Sequence, residues 1–156
     1  MLIAQPKKWY SWDYSLRDAE GRHLADLGLS SWRDRGTFVL GGAEYHVRRE
    51  GLGGPFVLEH DGSARARARK TRFFGCEFEI EFEGDHYTLT KRSMWSDVIV
   101  LRQGGEELGT IRHTAWYKRD AHVELAERLS PVLQAFAVWL ALLLWKREAA
   151  AAEAGA

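Results

Sequence analysis

Cysteine is nearly absent from this 156-residue chain, and neither sign of charge is in excess. The single cysteine, Cys76, excludes a disulfide framework and a cysteine metal cluster, and its position between Gly75 and Glu77 indicates a strand residue. Lys and Arg together number 22, as do Asp and Glu, so the formal net charge is zero. Because nucleic-acid binding usually needs a basic excess, we expect no nucleic-acid partner.

The sequence also lacks the short motifs that mark catalytic, cofactor and targeting functions. It has no Gly-x-Ser-x-Gly, phosphate-binding loop or dinucleotide motif, and the glycines of "EGLGGPF" at 50–56 precede no helix, which indicates a connection between strands. The 6 histidines have no metal-binding spacing. The amino-terminal "MLIAQPKKWYSWDY" has no apolar core of a signal peptide. We therefore predict a cytoplasmic, non-enzymatic protein without cofactor or metal.

The chain does contain a long series of strand-like runs joined by turn residues. The turns are "RDAEG" at 17–21, Gly41–Gly42, Asp61–Gly62, Gly84–Asp85 and Gly104–Gly105. Tight hairpins favour such residues because primed turns need positive φ. Five hairpins give ten strands, and "WYKRDAHVEL" at 116–125 adds one or two more. The pattern predicts a mainly β fold, a closed antiparallel β-barrel of about 12 strands.

Alternation within the runs shows which face is inside. In "CEFEIEFEG", three apolar side chains share one face and the glutamates share the other. In "SARARARK" at 63–70, Ala64, Ala66 and Ala68 share the inner face. An inner wall of alanine leaves room for something bulky inside the barrel.

The bulky element is predicted to be a helix at the end of the sequence. Ser130 is a good N-cap and Pro131 a good first helical residue. The run from Val132 to Trp145 contains one polar residue, Gln134, so the helix is apolar on every side and must be buried in protein or lipid. Its predicted core residues are Val132, Leu133, Phe136, Val138, Trp139, Leu140, Leu142, Leu143 and Leu144. The predicted organisation is a lead at 1–8, one barrel domain at 9–147 with the internal helix at 130–147, and a frayed tail at 148–156.

The length of the apolar run favours burial inside the barrel. The run from 132 to 145 is shorter than the roughly 20 residues that span a bilayer. The segment from 131 to 147 would be about 25 Å long, which suits a barrel wall roughly 15–20 Å tall. The alternative is a tail-anchored membrane protein whose β domain lies outside the bilayer.

The order of these elements resembles the tubby C-terminal-like superfamily, in which a β-meander closes around one hydrophobic carboxyl-terminal helix. The stretches that carry the resemblance are "ARARARKTRF" at 64–73, "FEIEFEGDHYTL" at 78–89, "GGEELGTI" at 104–111 and "ERLSPVLQAFAVWLALLLW" at 127–145. The chain is most similar to the small scramblase and LURP-one-related type, over residues 9–147.

The resemblance implies a non-enzymatic binding or scaffold domain that could associate with membrane phospholipid. Tubby proteins bind phosphoinositides through a basic barrel surface, but no motif here matches that site, so none of its residues is carried over. Scramblases bind calcium through an acidic segment before the last helix. The matching segment here offers only Asp120, Glu124 and Glu127, a poor set for an ion that takes six to eight oxygens. The cysteine-rich palmitoylated segment of scramblases has no counterpart.

The candidate site is a basic cluster, for which two interpretations stay open. Its members are Arg65, Arg67, Arg69, Lys70 and Arg72. The cluster could bind the phosphates of an anionic lipid. Alternatively, the arginines pair with glutamates of the next strand in a charge ladder that fixes the strand register. Pairing around Phe73–Phe74 would give Arg69–Glu77, Arg67–Glu79 and Arg65–Glu81.

The tryptophans outside the helix have two interpretations as well. Trp9, Trp12, Trp32, Trp95 and Trp116 lie at strand ends and loops, where packing at the barrel rim is expected. Trp32 and Trp95 could instead enter a membrane interface. An enzyme with a pocket at the rim is a further alternative, against which a filled barrel interior would count.

Overall fold

The structure, a computed structural model, describes residues 1–29, 35–71, 77–115 and 118–155. Within these ranges twelve strands precede one helix. The strands are β1 (Leu2–Pro6), β2 (Tyr14–Asp18), β3 (His23–Leu29), β4 (Gly36–Leu40), β5 (Ala43–Arg49), β6 (Phe56–His60), β7 (Ser63–Lys70), β8 (Glu77–Phe82), β9 (Asp85–Lys91), β10 (Ile99–Gln103), β11 (Glu106–His113) and β12 (Ala121–Leu125). The helix α1 follows at Pro131–Ala154.

The strands form a closed antiparallel barrel in which each strand pairs with its neighbours in the sequence. Five tight hairpins lie at or within two residues of the predicted turns, the β8–β9 turn being Glu83–Gly84 because Asp85 pairs with Phe82. The mainly β barrel around a carboxyl-terminal helix is confirmed. Turn glycines such as Gly41 and Gly104 have φ of 58° and 60°, the left-handed region that glycine adopts without strain.

The barrel closes between its first and last strands. β1 pairs with β12, with Leu2 opposite Val123 and Ala4 opposite Ala121. β1 lies within the segment predicted as a lead at 1–8, so the domain boundary at residue 9 is corrected. The physical reason is that β12 and β2 would otherwise present unpaired backbone edges, which the short apolar run at 2–4 satisfies.

α1 lies inside this barrel and contacts strands on several sides of it. The Trp139 indole Nε1 donates a hydrogen bond of 2.9 Å to the carbonyl of Gly28 on β3, and its ring contacts Phe56 of β6 at 5.9 Å between centroids. Further along, Trp145 stacks on His113 of β11 at 3.9 Å. Burial lowers the pKa of His113, so the neutral imidazole is favoured in this contact.

The burial of α1 follows the sequence prediction closely. Leu133 and every residue from Ala135 to Trp145 are buried. The predicted core residues are therefore enclosed, except Val132, which is half-buried because the first helical turn lies at the mouth of the barrel. Among the described residues, no helix combines the length and the apolar character needed to cross a membrane.

The two ends of α1 differ, since the first is capped by a side chain and the last extends into solvent. Ser130 caps the first turn, its hydroxyl accepting a hydrogen bond of 3.2 Å from the amide of Val132. The helix continues past residue 147, the predicted end, and residues 149–155 are exposed. Alanine is the strongest helix former, so the alanine-rich tail continues the helix beyond the wall.

Small residues on the inner wall make room for the helix. Ala66 and Ala68 are buried as predicted, whereas Ala64 is exposed beside the turn, after an irregularity in the β6–β7 pairing. On β4, a β-carbon at Gly36 would overlap the Trp139 indole and the carbonyl of Gly28. The large indole is therefore accommodated by a glycine position.

The two ends of the barrel are built differently. We call the end that holds the five tight hairpins and the start of α1 the turn end. The other end, the loop end, holds the connections β1–β2, β3–β4, β5–β6, β7–β8, β9–β10 and β11–β12. α1 leaves the barrel at the loop end, where Glu148 forms an ion pair of 2.6 Å with Lys91 at the end of β9.

Candidate functional site

The arginines of the predicted basic cluster lie on the outer face of β7, where they alternate with alanines. Arg67 stands opposite Glu81 and Arg69 opposite Glu79, so β7 and β8 pair two residues away from the predicted register. The reason is the connection at 71–76, which is longer than a tight turn and is closed by a 3.1 Å hydrogen bond from the Thr71 amide to the Glu77 carbonyl. A shift of two residues keeps every side chain on its predicted face.

These arginines form ion pairs with glutamates. Arg65 pairs with Glu83 at 2.8 Å and Arg69 with Glu79 at 3.0 Å. Arg67 pairs instead with Glu50, in the connection that follows β5. Of the three predicted rungs, only the one at Arg69 joins β7 to β8, with Glu79 in place of the predicted Glu77, because Glu83 and Glu50 lie in connections. Lys70 ends β7 at the loop end, and Arg72 lies outside the described residues.

Charge is segregated between the two ends of the barrel. We count the connections, the strand residues that flank them and, at the loop end, the helix from 146 to 150. At the loop end the described basic residues are Lys7, Lys8, Arg35, Arg49, Lys70, Lys91, Arg92, Lys118, Arg119, Lys146 and Arg147, and the acidic residues are Asp13, Glu50, Glu77, Asp97, Asp120 and Glu148. At the turn end the acidic residues are Asp18, Glu20, Asp61, Glu83, Asp85, Glu106 and Glu127, and the basic residues are Arg22 and Arg128. The zero net charge thus conceals a positive loop end and a negative turn end.

Exposed large apolar side chains also gather at the loop end. Trp9 is 86% exposed and Trp95 is 91% exposed. Tyr10 and Met94 are exposed beside them in sequence, and Leu52 is exposed in the β5–β6 connection of the same end. Elsewhere the described residues expose only Met1 and Val39 among large apolar side chains. Burying such side chains is favourable, so their concentration at one end makes that end a candidate interaction surface.

The prediction that the tryptophans pack at the barrel rim holds for Trp12 and fails for two others. Trp12 is partly buried against the core, as expected for rim packing, and the Arg119 guanidinium lies 4.5 Å from its ring centre. Trp9 and Trp95 do not pack against the rim, so that expectation is wrong for them. Trp32 and Trp116 lie outside the described residues.

The exposed residues project from loops with a shared hydrogen-bond frame. In the β1–β2 connection, the Lys7 amide donates to the Asp13 carbonyl at 2.8 Å, and the Ser11 amide donates to the Lys8 carbonyl at 3.2 Å. The same two bonds, with the same spacing and the same lengths, occur in the β9–β10 connection. Each frame leaves the third and fourth loop residues at the tip, Trp9 and Tyr10 in one loop.

The β11–β12 connection braces the β1–β2 loop. Arg119 donates a hydrogen bond of 2.6 Å from its guanidinium to the Trp9 carbonyl, and a second to the Ser11 carbonyl. Its own carbonyl accepts a 3.2 Å hydrogen bond from the Tyr14 hydroxyl. The Lys8 ammonium lies 5.6 Å from the ring centre of Tyr10. A positive charge therefore accompanies the exposed aromatic pair.

A groove of about 860 Å³ runs along the wall next to the loop end, and it is also basic. Arg35, Arg48 and Arg49 line it, together with His46 and the acidic Asp13. Arg48 forms an ion pair of 2.6 Å with Glu59, which offsets part of the positive charge. No group of three potential ligands that could hold a metal ion occurs among the residues that the structure describes.

Comparisons of the chain with family models, with curated proteins and with solved structures found no match.

The sequence contained a signal for the exposed loop tips that composition could not reveal. The third residue of the loop is apolar in the β1–β2, β5–β6 and β9–β10 connections, where it is Trp9, Leu52 and Met94. In the loops that begin at Thr71 and Thr114, the third residues are Phe73 and Trp116, which lie outside the described residues. The recurrence becomes visible only after the strand ends are known, because the tips are separated by strands of unequal length.

Proposed function

We propose that this protein is a non-enzymatic binding domain of the tubby-like type, whose loop end associates with anionic phospholipid at the cytoplasmic surface of a membrane. The observation that carries the proposal is the segregation of charge along the barrel axis. A positive end with a negative opposite end is attracted to an anionic surface, and orients toward it, even when the net charge is zero.

The filled interior supports a function at the outer surface. Barrels that bind small molecules usually do so inside, where a cavity removes the ligand from water. Here α1 occupies that space, with Trp139, Phe136 and Leu140 fully buried among the inner strand residues. A partner must therefore be contacted from outside the barrel.

Vesicle flotation tests this function. The purified protein is mixed with vesicles of phosphatidylcholine alone or of phosphatidylcholine with phosphatidylserine. We expect flotation with the anionic vesicles, weakening as salt rises because the screening length falls to about 10 Å at roughly 0.1 M salt. If the protein does not float with anionic vesicles at low salt, the proposed function is wrong.

Matched charge reversals locate the contact. The variant Lys8→Glu/Lys118→Glu changes two exposed residues of the loop end, and Arg22→Glu/Arg128→Glu makes the same charge change at the turn end. We expect the first to lower the affinity for anionic vesicles by roughly tenfold or more, since each basic residue near such a surface contributes about 1 kcal/mol. The second should bind like the parent.

A third variant addresses the outer face of β7. Changing Arg65, Arg67 and Arg69 together to alanine removes cations that glutamates already neutralise. We expect vesicle binding to stay within about twofold of the parent, because paired exposed charges contribute little to a distant anionic surface. A large loss would move the lipid contact to β7, as the sequence pattern first suggested.

A further inference from the structure

We infer that the loop end enters the bilayer interface through the three apolar tips of its described connections, which hold the barrel axis upright on the membrane. The inference rests on the proposed function and adds the mode of contact. The tips are Trp9 with Tyr10, Leu52, and Met94 with Trp95. Tryptophan and tyrosine favour the headgroup region of a bilayer, because their rings are apolar at one side and polar at the other.

The spacing of the tips around the barrel suits a flat partner. They belong to the connections β1–β2, β5–β6 and β9–β10, so four steps in the strand order separate each from the next. Three supports spread evenly around a ring define one plane. A bilayer surface can meet all three at once, whereas a peptide or a narrow groove of another protein would engage one.

The loops hold these tips outward in the free protein. The paired hydrogen bonds from Lys7 to Asp13 and from Arg92 to Val98 close two of the loops at 2.8 Å each. In the third, the Glu50 amide donates to the Pro55 carbonyl at 2.9 Å. Because the backbone is fixed beforehand, little conformational entropy is lost when the side chains enter the interface.

The charges around the tips specify an anionic bilayer. Lys8 adjoins Trp9 and Tyr10, whereas Arg92, which begins the loop of Met94 and Trp95, forms an ion pair with Glu107. The apolar tips would lie among the upper acyl chains and the basic side chains at the level of the phosphates. This division between an apolar and a basic layer matches the two layers of a bilayer surface.

The first experiment removes the apolar tips without changing charge. The variant Trp9→Ser/Leu52→Asn/Trp95→Ser replaces three exposed residues, so its thermal unfolding midpoint should match that of the parent. We expect its affinity for phosphatidylcholine–phosphatidylserine vesicles to fall by roughly tenfold or more. The control is Val39→Asn, which replaces an apolar residue exposed on the barrel wall and should bind like the parent.

The second experiment measures penetration directly. A polarity-sensitive fluorophore is attached to Leu52→Cys or to Val39→Cys, each in a Cys76→Ser background. On addition of the same vesicles we expect a blue shift and a rise in emission at position 52 and no change at position 39. An emission unchanged at position 52 in protein that floats, or a tip variant that floats like the parent, overturns the inference and leaves an electrostatic association in place.

Two other outcomes identify a different cause. If the parent does not float with anionic vesicles, the proposed function fails, and the penetrating mode fails with it. If gel filtration shows that the parent self-associates and the tip variant does not, a second copy of the chain covers the tips, which also overturns the inference.

Discussion

Trp139 is the largest fully buried side chain among the residues that the structure describes, and the wall around it is shaped to receive it. Its indole donates to the carbonyl of Gly28, meets the edge of Phe56, and lies where a side chain at Gly36 would have to be. The indole N–H is thereby satisfied in an apolar interior, where an unpaired donor would cost about 1–3 kcal/mol. The glycine and the indole thus form one packing unit.

The close packing of Gly36 against Trp139 predicts that adding one methyl group at position 36 destabilises the protein. Gly36→Ala should lower the free energy of unfolding by about 1–3 kcal/mol, because the added carbon overlaps Trp139 and a backbone carbonyl that cannot move freely. Urea unfolding followed by fluorescence measures the difference. Gly105→Ala is the matched control, since its β-carbon would meet open space. Equal effects of the two substitutions would contradict the packing argument.

The pairing of β7 with β8 shows how far an element can be predicted from its sequence. Alternation fixed the faces correctly, because side-chain direction depends only on the two-residue period of a strand. The partners of the arginines were predicted two residues away from their positions, because register depends on the length of the connection, and alternation carries no information about it. Arg67 shows a further limit, since its partner Glu50 comes from an element distant in sequence.

The same limit applies to the candidate site. Trp95 was singled out in the sequence as a residue that could meet a membrane interface, whereas Trp9, Leu52 and Met94 were missed as exposed residues. Apolar side chains at loop tips and at barrel rims look alike in a sequence. The backbone hydrogen bonds that close each loop became visible only in the structure, together with the residues that they leave at the tip.

The exit of α1 from the barrel is held by an ion pair whose strength can be predicted from its shielding. The Lys91 side chain is 12% exposed where it meets Glu148, while Arg69 and Glu79 are 70% and 50% exposed. We expect the coupling energy of Lys91–Glu148 to be about 1 kcal/mol or more and that of Arg69–Glu79 about 0.5 kcal/mol or less, because water screens the second pair.

Double-mutant cycles in urea unfolding compare the two pairs. Lys91→Met with Glu148→Gln and Arg69→Met with Glu79→Gln remove charge and keep much of the side-chain volume. A larger coupling for the outer-face pair would show that shielding at the exit of α1 does not strengthen its ion pair.

The whole molecule depends on the helix, because the barrel has no other core. Inner residues of strands on every side, including Phe38, Phe78 and Leu89, are buried in one cluster with α1. Removing the helix would leave a water-filled space lined by apolar side chains. The sequence predicted this arrangement well. A helix that is apolar on every side must be buried, and a strand with alanines on its inner face leaves space for it.

Two shortened chains test this dependence. A chain that ends at Ala126 lacks α1 and should show no cooperative unfolding and should bind the apolar dye ANS, as partly collapsed states do. A chain that ends at Ala149 keeps the enclosed part of the helix and should unfold within about 0.5 kcal/mol of the full chain, because the described residues that it lacks, 150–155, are exposed. Circular dichroism during urea unfolding distinguishes them. A folded, cooperative chain without α1 would show that the sheet stands on its own.

The position of α1 after every strand also governs how the protein is made. Ribosomes extend a chain at about 5–20 residues per second, so most of the strands leave the exit tunnel seconds before the segment that covers their apolar faces. During that interval the growing sheet exposes its apolar inner face and its unpaired strand edges to other nascent chains. We therefore expect newly synthesised copies to bind chaperones and to be released only when α1 has entered the barrel.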